Sequence, residues 1–430
     1  MLSKPLLALL STLPYHSLAS PFLYHALVRR EGGKVPEWTA MGDSYASGVG
    51  AGPQPADDTN RCFRFPNAYP RVIQESGLDP KPDTFNNVAC SGNTFDQIKD
   101  KELLDKPQDD GKNGRRPAWG KAPEFVTITM GGNDIGILNL IATCILSFKL
   151  WGMDCEEVIQ YGHTTIESQK FKDDLNDLID AIIKKGRGTP VGDKFKVFVV
   201  GYAQFFNQKT TQCNDVDFKP PWNPMPAQKL TVERRTAMNG LALALNKALA
   251  SAVDRVKDKN VYWVDYDDDF ETHRFCDRDE PKPDDPETYF FNYYTKEDPK
   301  MEKAKQVFEK IPAYKTTSEG SKENVFKTDA DFINALADAA EGDPEAESVL
   351  SDTVRMFHPS TRGHDKIKEI VIKALKDEGA TEGGDTEGQN LPPADALKCH
   401  GVGGDVWMLS RDQGVSAAEQ FCKQDVKEKE

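Results

Sequence analysis

"EWTAMGDSYASGVGAG", Glu37 to Gly52, runs from a short apolar segment into a glycine-rich turn that carries Asp43 and Ser44. A β-prone run that stops at glycine and turns toward a helix is the entry to a strand–helix unit. The same punctuation recurs along the chain, with "EFVTITM" before Gly131, "KFKVFVV" before Gly201 and "VYWVD" ending at Asp265. Between these runs lie helical patterns such as "SQKFKDDLNDLIDAIIKKG" and "TVERRTAMNGLALALNKALASAVDRV". Strands alternating with helices at this spacing imply a parallel sheet covered on both faces. The expected fold is therefore α/β, a three-layer α/β/α sandwich.

The rest of the chain is organised around that unit. With 430 residues the protein can build a core that needs no cross-links. Lys4, the apolar stretch from Pro5 to Leu13 and the small residues Ser17 and Ala19 fit a signal peptide over 1–19, and hence a secreted, extracellular protein. Elsewhere no apolar stretch is long enough to span a membrane. The main domain is expected over 36–379, interrupted by an acidic insertion at about 280–350 that follows "DDDFETHRFCDRDEPKPDDPE". That acidic run lacks a calcium-loop pattern and reads as solvated, although the insertion's place before the last helix suits a lid. "DKIKEIVIKALKDEG" puts Ile367, Ile370, Val371, Ala374 and Leu375 on one helical face, ending at Gly379. A linker over 380–393 leads to a small tail over 394–430.

Charge and cysteine usage narrow the partners. A net charge of −15 disfavours nucleic acid and anionic membrane surfaces, leaving a neutral small molecule or lipid as the easier substrate. The eight cysteines form no C-x-x-C pair or Cys/His cluster, so neither a metal nor another cofactor is expected. Together with the leader they favour disulfides, whose pairing the spacing does not choose. In a tail too short for much core, Cys399 and Cys422 are the natural staple.

Ser44 follows the first strand at the carboxyl edge of the sheet, where open α/β sheets bind their ligands. Asn133, in "MGGNDIG", holds the equivalent place after a later strand, and Gly92, in "ACSGNT", could bring a backbone N–H close to a ligand. A nucleophilic oxygen, a histidine and preorganised donors are what acyl transfer needs. Asp43 and Asp134 more naturally fix the turns around these residues. The segment "HPSTRGH" offers two histidines: His358, a loop or core residue before Pro359, and His364, at the start of the last helix. The dipole there keeps an imidazole neutral, as a base must be. Asp365, adjacent to His364, cannot face it on a helix.

Gly42–Asp43–Ser44, Gly92, Gly132–Asn133–Asp134 and His364 together resemble the blocks of the SGNH, or GDSL, hydrolases, in family order. More narrowly, "GDSYASG", "NAYP", "ACSG" and "TMGGNDIG" resemble the secreted esterase branch of the Streptomyces scabies type. The resemblance implies a flavodoxin-like sheet and disulfides Cys62–Cys90, Cys144–Cys155 and Cys213–Cys276. It implies Ser44 as nucleophile, an oxyanion hole from the Ser44 and Gly92 N–H groups and the Asn133 amide, and His364 as general base. The family's usual Asp-x-x-His places Thr361 where the acid would stand, so the Thr361 backbone carbonyl is expected to orient His364 through Nδ1. The activity implied is hydrolysis of carboxylic esters, of lipid or other acyl type, through an acyl-enzyme. A carbohydrate acetyl esterase, or a non-catalytic binding module carried by the tail, are the rivals.

Overall fold

The strand-forming runs are apolar along both faces, which suits only positions sandwiched between two helical layers. Val197 to Val200 and Phe125 to Thr129 are buried at every residue. In the computed structural model these runs form a wholly parallel sheet. Its strands are β1 (Glu37–Gly42), β2 (Thr84–Asn87), β3 (Pro123–Thr129), β4 (Lys196–Val200) and β5 (Val261–Val264), in the order β2-β1-β3-β4-β5. The structure describes residues 37–53, 62–78, 81–109, 115–148, 152–220, 223, 225–258, 260–277, 287–291, 300–311 and 329–379, with strand backbone at 396–400 and 406–410. The proposed signal peptide over 1–19, the linker, Cys422 and the side chain of Cys399 lie outside the described residues.

The sheet order is the flavodoxin-like one, in which the chain reverses direction across the sheet between β1 and β3. Trp38 of β1 is stacked between Phe85 of β2 and Phe125 of β3, with ring centroids 4.5 and 5.2 Å away, so three strands are tied by one aromatic row. The edge strand β2, "TFNN", is not evident from the sequence: two asparagines and half-exposed side chains give it little β character of its own. Its pairing with β1 makes it a strand.

Eleven α-helices are described: α1 (Ser44–Ser47), α2 (Tyr69–Val72), α3 (Phe95–Glu102), α4 (Ile137–Leu140), α5 (Cys155–Glu167), α6 (Gln169–Arg187), α7 (Val232–Val256), α8 (Lys300–Glu309), α9 (Asp329–Ala340), α10 (Pro344–Arg355) and α11 (Thr361–Asp377). Ser168 and Thr231 cap α6 and α7 through their hydroxyls, so the expected starts of these two helices hold. Helices α3, α6 and α7 pack in sequence on one face, and α2 and α11 pack together on the other side. Gly379 follows α11 with φ of +59°, the left-handed residue that ends it. Within the insertion, α8, α9 and α10 pack on one another, and Phe308 of α8 stacks on Phe148 at 5.0 Å. This part of the insertion is packed against the domain rather than solvated.

Three disulfides join Cys62 to Cys90, Cys144 to Cys155 and Cys213 to Cys276, the pairs implied by the resemblance. Cys62–Cys90 closes 28 residues, worth about 3–4 kcal/mol on the chain-entropy model. It also anchors the loop before Gly92, because Ser91 N–H donates to the Cys62 carbonyl at 3.0 Å.

Gly42, the last residue of β1, has φ of +115°, and a Cβ there would lie 2.0 Å from the Thr129 carbonyl oxygen of β3. Gly42→Ala is therefore expected to destabilise the protein by more than about 3 kcal/mol, combining backbone strain with a clash against main chain. Urea denaturation followed by tryptophan fluorescence measures it.

Candidate active site

Because β1 and β3 leave the reversal point in opposite senses, the loops at their carboxyl ends splay apart and open a cleft. Asp43 caps the short helix α1 by accepting from Tyr45 N–H at 3.0 Å, which places Ser44 at the first helical position, facing the cleft. The second Asp43 bond, from Thr129 Oγ1 at 2.7 Å, fastens this turn to β3, and the Tyr202 hydroxyl donates to its other oxygen. Burial raises the Asp43 pKa against the opposing effect of these donors. Asp134 has the corresponding role beyond β3. It accepts from Phe95 N–H at the start of α3, and burial pushes it up to about 7. Both acids fix turns, as the sequence suggests.

Ser91, Gly92 and Asn133 line the same cleft as Ser44. Gly92 takes φ of +83°, which keeps its N–H side free of a side chain. Asn133 Nδ2 donates one hydrogen to the Asn93 carbonyl at 2.9 Å and has a second to offer. Apart from Tyr45 and His358, the remaining walls are apolar: Ile137, Leu138, Ile141, Phe205, Val354 and Phe357. Val354 and Phe357 come from the end of α10 and the turn after it, so the segment in which the insertion rejoins the domain supplies part of the cleft.

The histidine at Ser44 is His358. Its Nε2 lies 2.7 Å from Ser44 Oγ, and its Nδ1 lies 3.2 Å from the Met356 carbonyl. A carbonyl can only accept, so Nδ1 carries the proton and Nε2 is free to take one from the serine. Burial lowers the His358 pKa to about 4, against the raising effect of nearby backbone carbonyls. The turn that carries it is held by main-chain bonds to 289–291. Phe291 N–H donates to His358 O at 2.7 Å, and Ser360 N–H donates to Tyr289 O at 2.7 Å. Phe357, at φ of +61°, makes the sharp bend. Gly50 admits the neighbouring loop, since a Cβ there would meet the Pro359 carbonyl oxygen at 2.6 Å.

This corrects the expectation for His364, which does not meet Ser44. Helix α11 begins at Thr361, capped by Ser360, so His364 is its fourth residue. There it extends the buried stripe of Ile367, Val371 and Leu375, and points into the packing against α2. Its Nδ1 accepts from Tyr69 N–H at 3.2 Å, so its proton is on Nε2, the opposite tautomer to His358. Burial lowers its pKa to about 3. The ring is neutral at the start of the last helix as expected, but burial rather than the dipole is the cause, and it faces Tyr69 instead of Ser44. Thr361 is likewise corrected: as first residue of α11 its carbonyl points along the helix, and its hydroxyl accepts from Asn67. The form of the expectation survives, because a main-chain carbonyl does meet the imidazole at Ser44.

A signal for His358 was present in the sequence. A residue before proline is held extended, and Ser360 is a helix cap, so His358 had to lie on a loop and His364 inside a helix. Tyr202 and Glu102, both tied to this site, carry no motif that marks them in the sequence.

The GDSL-like Lipase/Acylhydrolase family model matches residues 40–292, more than half of the chain. The chain belongs to this family. As a GDSL-like acylhydrolase it is a carboxylic ester hydrolase, and the matched region includes Ser44, Gly92 and Asn133 while His358 lies beyond it. A Streptomyces rimosus lipase is 27% identical over 243 residues, 56% of this chain and 74% of its own length. Lipase 1 of Streptomyces coelicolor is 27% identical over 213 residues, 50% of this chain and 64% of its own. Among solved structures, the extracellular lipase from Streptomyces rimosus aligns with a TM-score of 0.44 and 21% identity, covering 71% of this chain and 99% of that one. Phospholipase A1 from Streptomyces albidoflavus NA297 aligns with a TM-score of 0.42 and 23% identity, covering 60% and 88%.

His364→Ala should leave Tyr69 N–H unpaired in the interior and cost about 1–3 kcal/mol. It should also flatten the pH dependence of stability. In the wild type the unfolded chain binds a proton near the ordinary 6.5 and the folded chain only near 3, so stability falls as pH drops through that window. Urea titrations across that range test both effects.

Proposed function

We propose that this family member is a secreted hydrolase of apolar carboxylic esters that works through a Ser44–His358 dyad and an acyl-enzyme. The observation supporting it most directly is the 2.7 Å contact of Ser44 Oγ with His358 Nε2, with the Met356 carbonyl on the opposite ring nitrogen. In the proposed reaction Ser44 Oγ attacks the ester carbonyl carbon while its proton passes to His358 Nε2. The negative oxygen that forms is met by the N–H groups of Ser44 and Gly92 and by the Asn133 amide. Collapse expels the alcohol, which takes the proton from His358. Water then repeats the sequence, His358 accepting its proton, and the carboxylic acid leaves with Ser44 restored.

The apolar walls favour an acyl or other hydrocarbon portion over a polysaccharide, whose hydroxyls would be left without partners there. Secretion is supported by three disulfides, which persist in oxidising compartments, and by the extracellular nature of the Streptomyces rimosus lipase.

Ser44→Ala should abolish hydrolysis of a p-nitrophenyl ester in folded protein, and His358→Ala should lower kcat at least about 10³-fold. His364→Ala protein that remains folded should still be labelled at Ser44 by a phosphonate. If His364→Ala lost labelling and His358→Ala kept it, the assignment of the base would be reversed.

The dyad also fixes the acid limb of the rate. His358 acts only when neutral, and burial holds it at about 4, so kcat/KM should be level near neutrality and fall as pH drops through about 4. A midpoint near 6.5 would show an imidazole far more exposed to water than this one.

A further inference from the structure

Helix α3 buries Phe95, Ile98 and Glu102, at i, i+3 and i+7. A carboxylate thus occupies a core position on an otherwise apolar stripe, 1% exposed. Such burial is costly unless the oxygens are bonded. Glu102 Oε2 accepts from Gly42 N–H at 2.7 Å, and Oε1 accepts from Asn93 Nδ2 at 2.5 Å. Gly42 lies two residues before Ser44. Asn93, itself 4% exposed, follows Gly92, and its carbonyl takes the Asn133 Nδ2 hydrogen at 2.9 Å. One carboxylate therefore touches the backbone leading to Ser44 and the side chain of the residue after Gly92, whose carbonyl in turn holds the Asn133 amide.

We propose that Glu102 is a positioning residue for the oxyanion hole, aiming the Asn133 amide by holding Asn93 against the end of β1. The geometry of an amide gives the reason. Two hydrogens on Nδ2 diverge in one plane, so fixing the first on the Asn93 carbonyl directs the second. Asn93 in turn has its amide orientation decided by Glu102, since a carboxylate can only accept. A leucine at this position would fill the space yet leave Gly42 N–H and Asn93 Nδ2 without this partner. The proposal rests on the reading of Asn133 as an oxyanion donor.

Steady-state kinetics of Glu102→Ala, Glu102→Gln and Asn133→Ala, with affinity for a trifluoromethyl ketone that forms an oxyanion on Ser44, test it. Glu102→Ala should lower kcat about 10–100-fold and weaken the ketone by a similar factor, with KM within about twofold. Glutamine can accept from Gly42 N–H and donate to Asn93 Oδ1 once that amide turns over. Glu102→Gln should therefore stay within about fivefold of wild type. In an Asn133→Ala background, Glu102→Ala should add less than about threefold, because the group it aims is gone. Full additivity, or a loss confined to KM, would overturn the proposal. An Asn133→Ala protein with wild-type kcat would instead overturn the underlying reading. If Glu102→Ala does not fold, Asn93→Ala cuts the same relay one link further on, and the same cycle with Asn133→Ala decides.

Discussion

The hydrogen bond from Thr129 Oγ1 to Asp43 joins the ends of two strands that diverge immediately afterwards, and the site depends on that junction. Gly42 lets β1 and β3 come close enough for it, and Asp43 then starts α1 through Tyr45 N–H. The Tyr202 hydroxyl, from the segment after β4, reaches the same carboxylate and also accepts from Gly132 N–H. A single buried acid so fixes the Ser44 turn relative to the Asn133 block. Burial of a carboxyl group of this kind is tolerated because every bond it accepts comes from a group with a fixed place in the sheet or the loops beside it.

The strand ends were legible because their chemistry is local. A short run of β-branched, aromatic or other apolar residues stopped by glycine identifies Ser44 and Asn133 without knowledge of the rest of the chain. β2 was not legible, since "TFNN" becomes a strand only by lying beside Trp38. The choice between the two histidines lay between these cases. The stripe His364, Ile367, Val371, Leu375 is readable as a core face, but the helix dipole at its start favours His364 over the ring that meets Ser44. The Met356 contact was not readable. It requires positive φ at Phe357, a conformation that a bulky aromatic residue adopts only when its surroundings impose it.

Those surroundings come from the insertion. Residues 289–291 bond to the 357–360 turn, and Arg355 at the end of α10 donates to the Gly52 carbonyl at 2.8 Å while lying 3.9 Å from the Phe291 ring. The segment that interrupts the strand–helix rhythm is therefore what shapes the histidine turn and, with Val354, one wall of the cleft. Substrate preference and imidazole placement are consequently not independent, because both pass through the end of α10.

The Met356 carbonyl has one more consequence. A carboxylate beside a catalytic imidazole is written in a codon and can be lost by a single base change. The acceptor proposed here belongs to every amino acid alike, so no substitution at position 356 deletes it. It is inherited as a shape of the chain, and drift can remove it only by altering residues that bend the backbone, many positions away in the sequence.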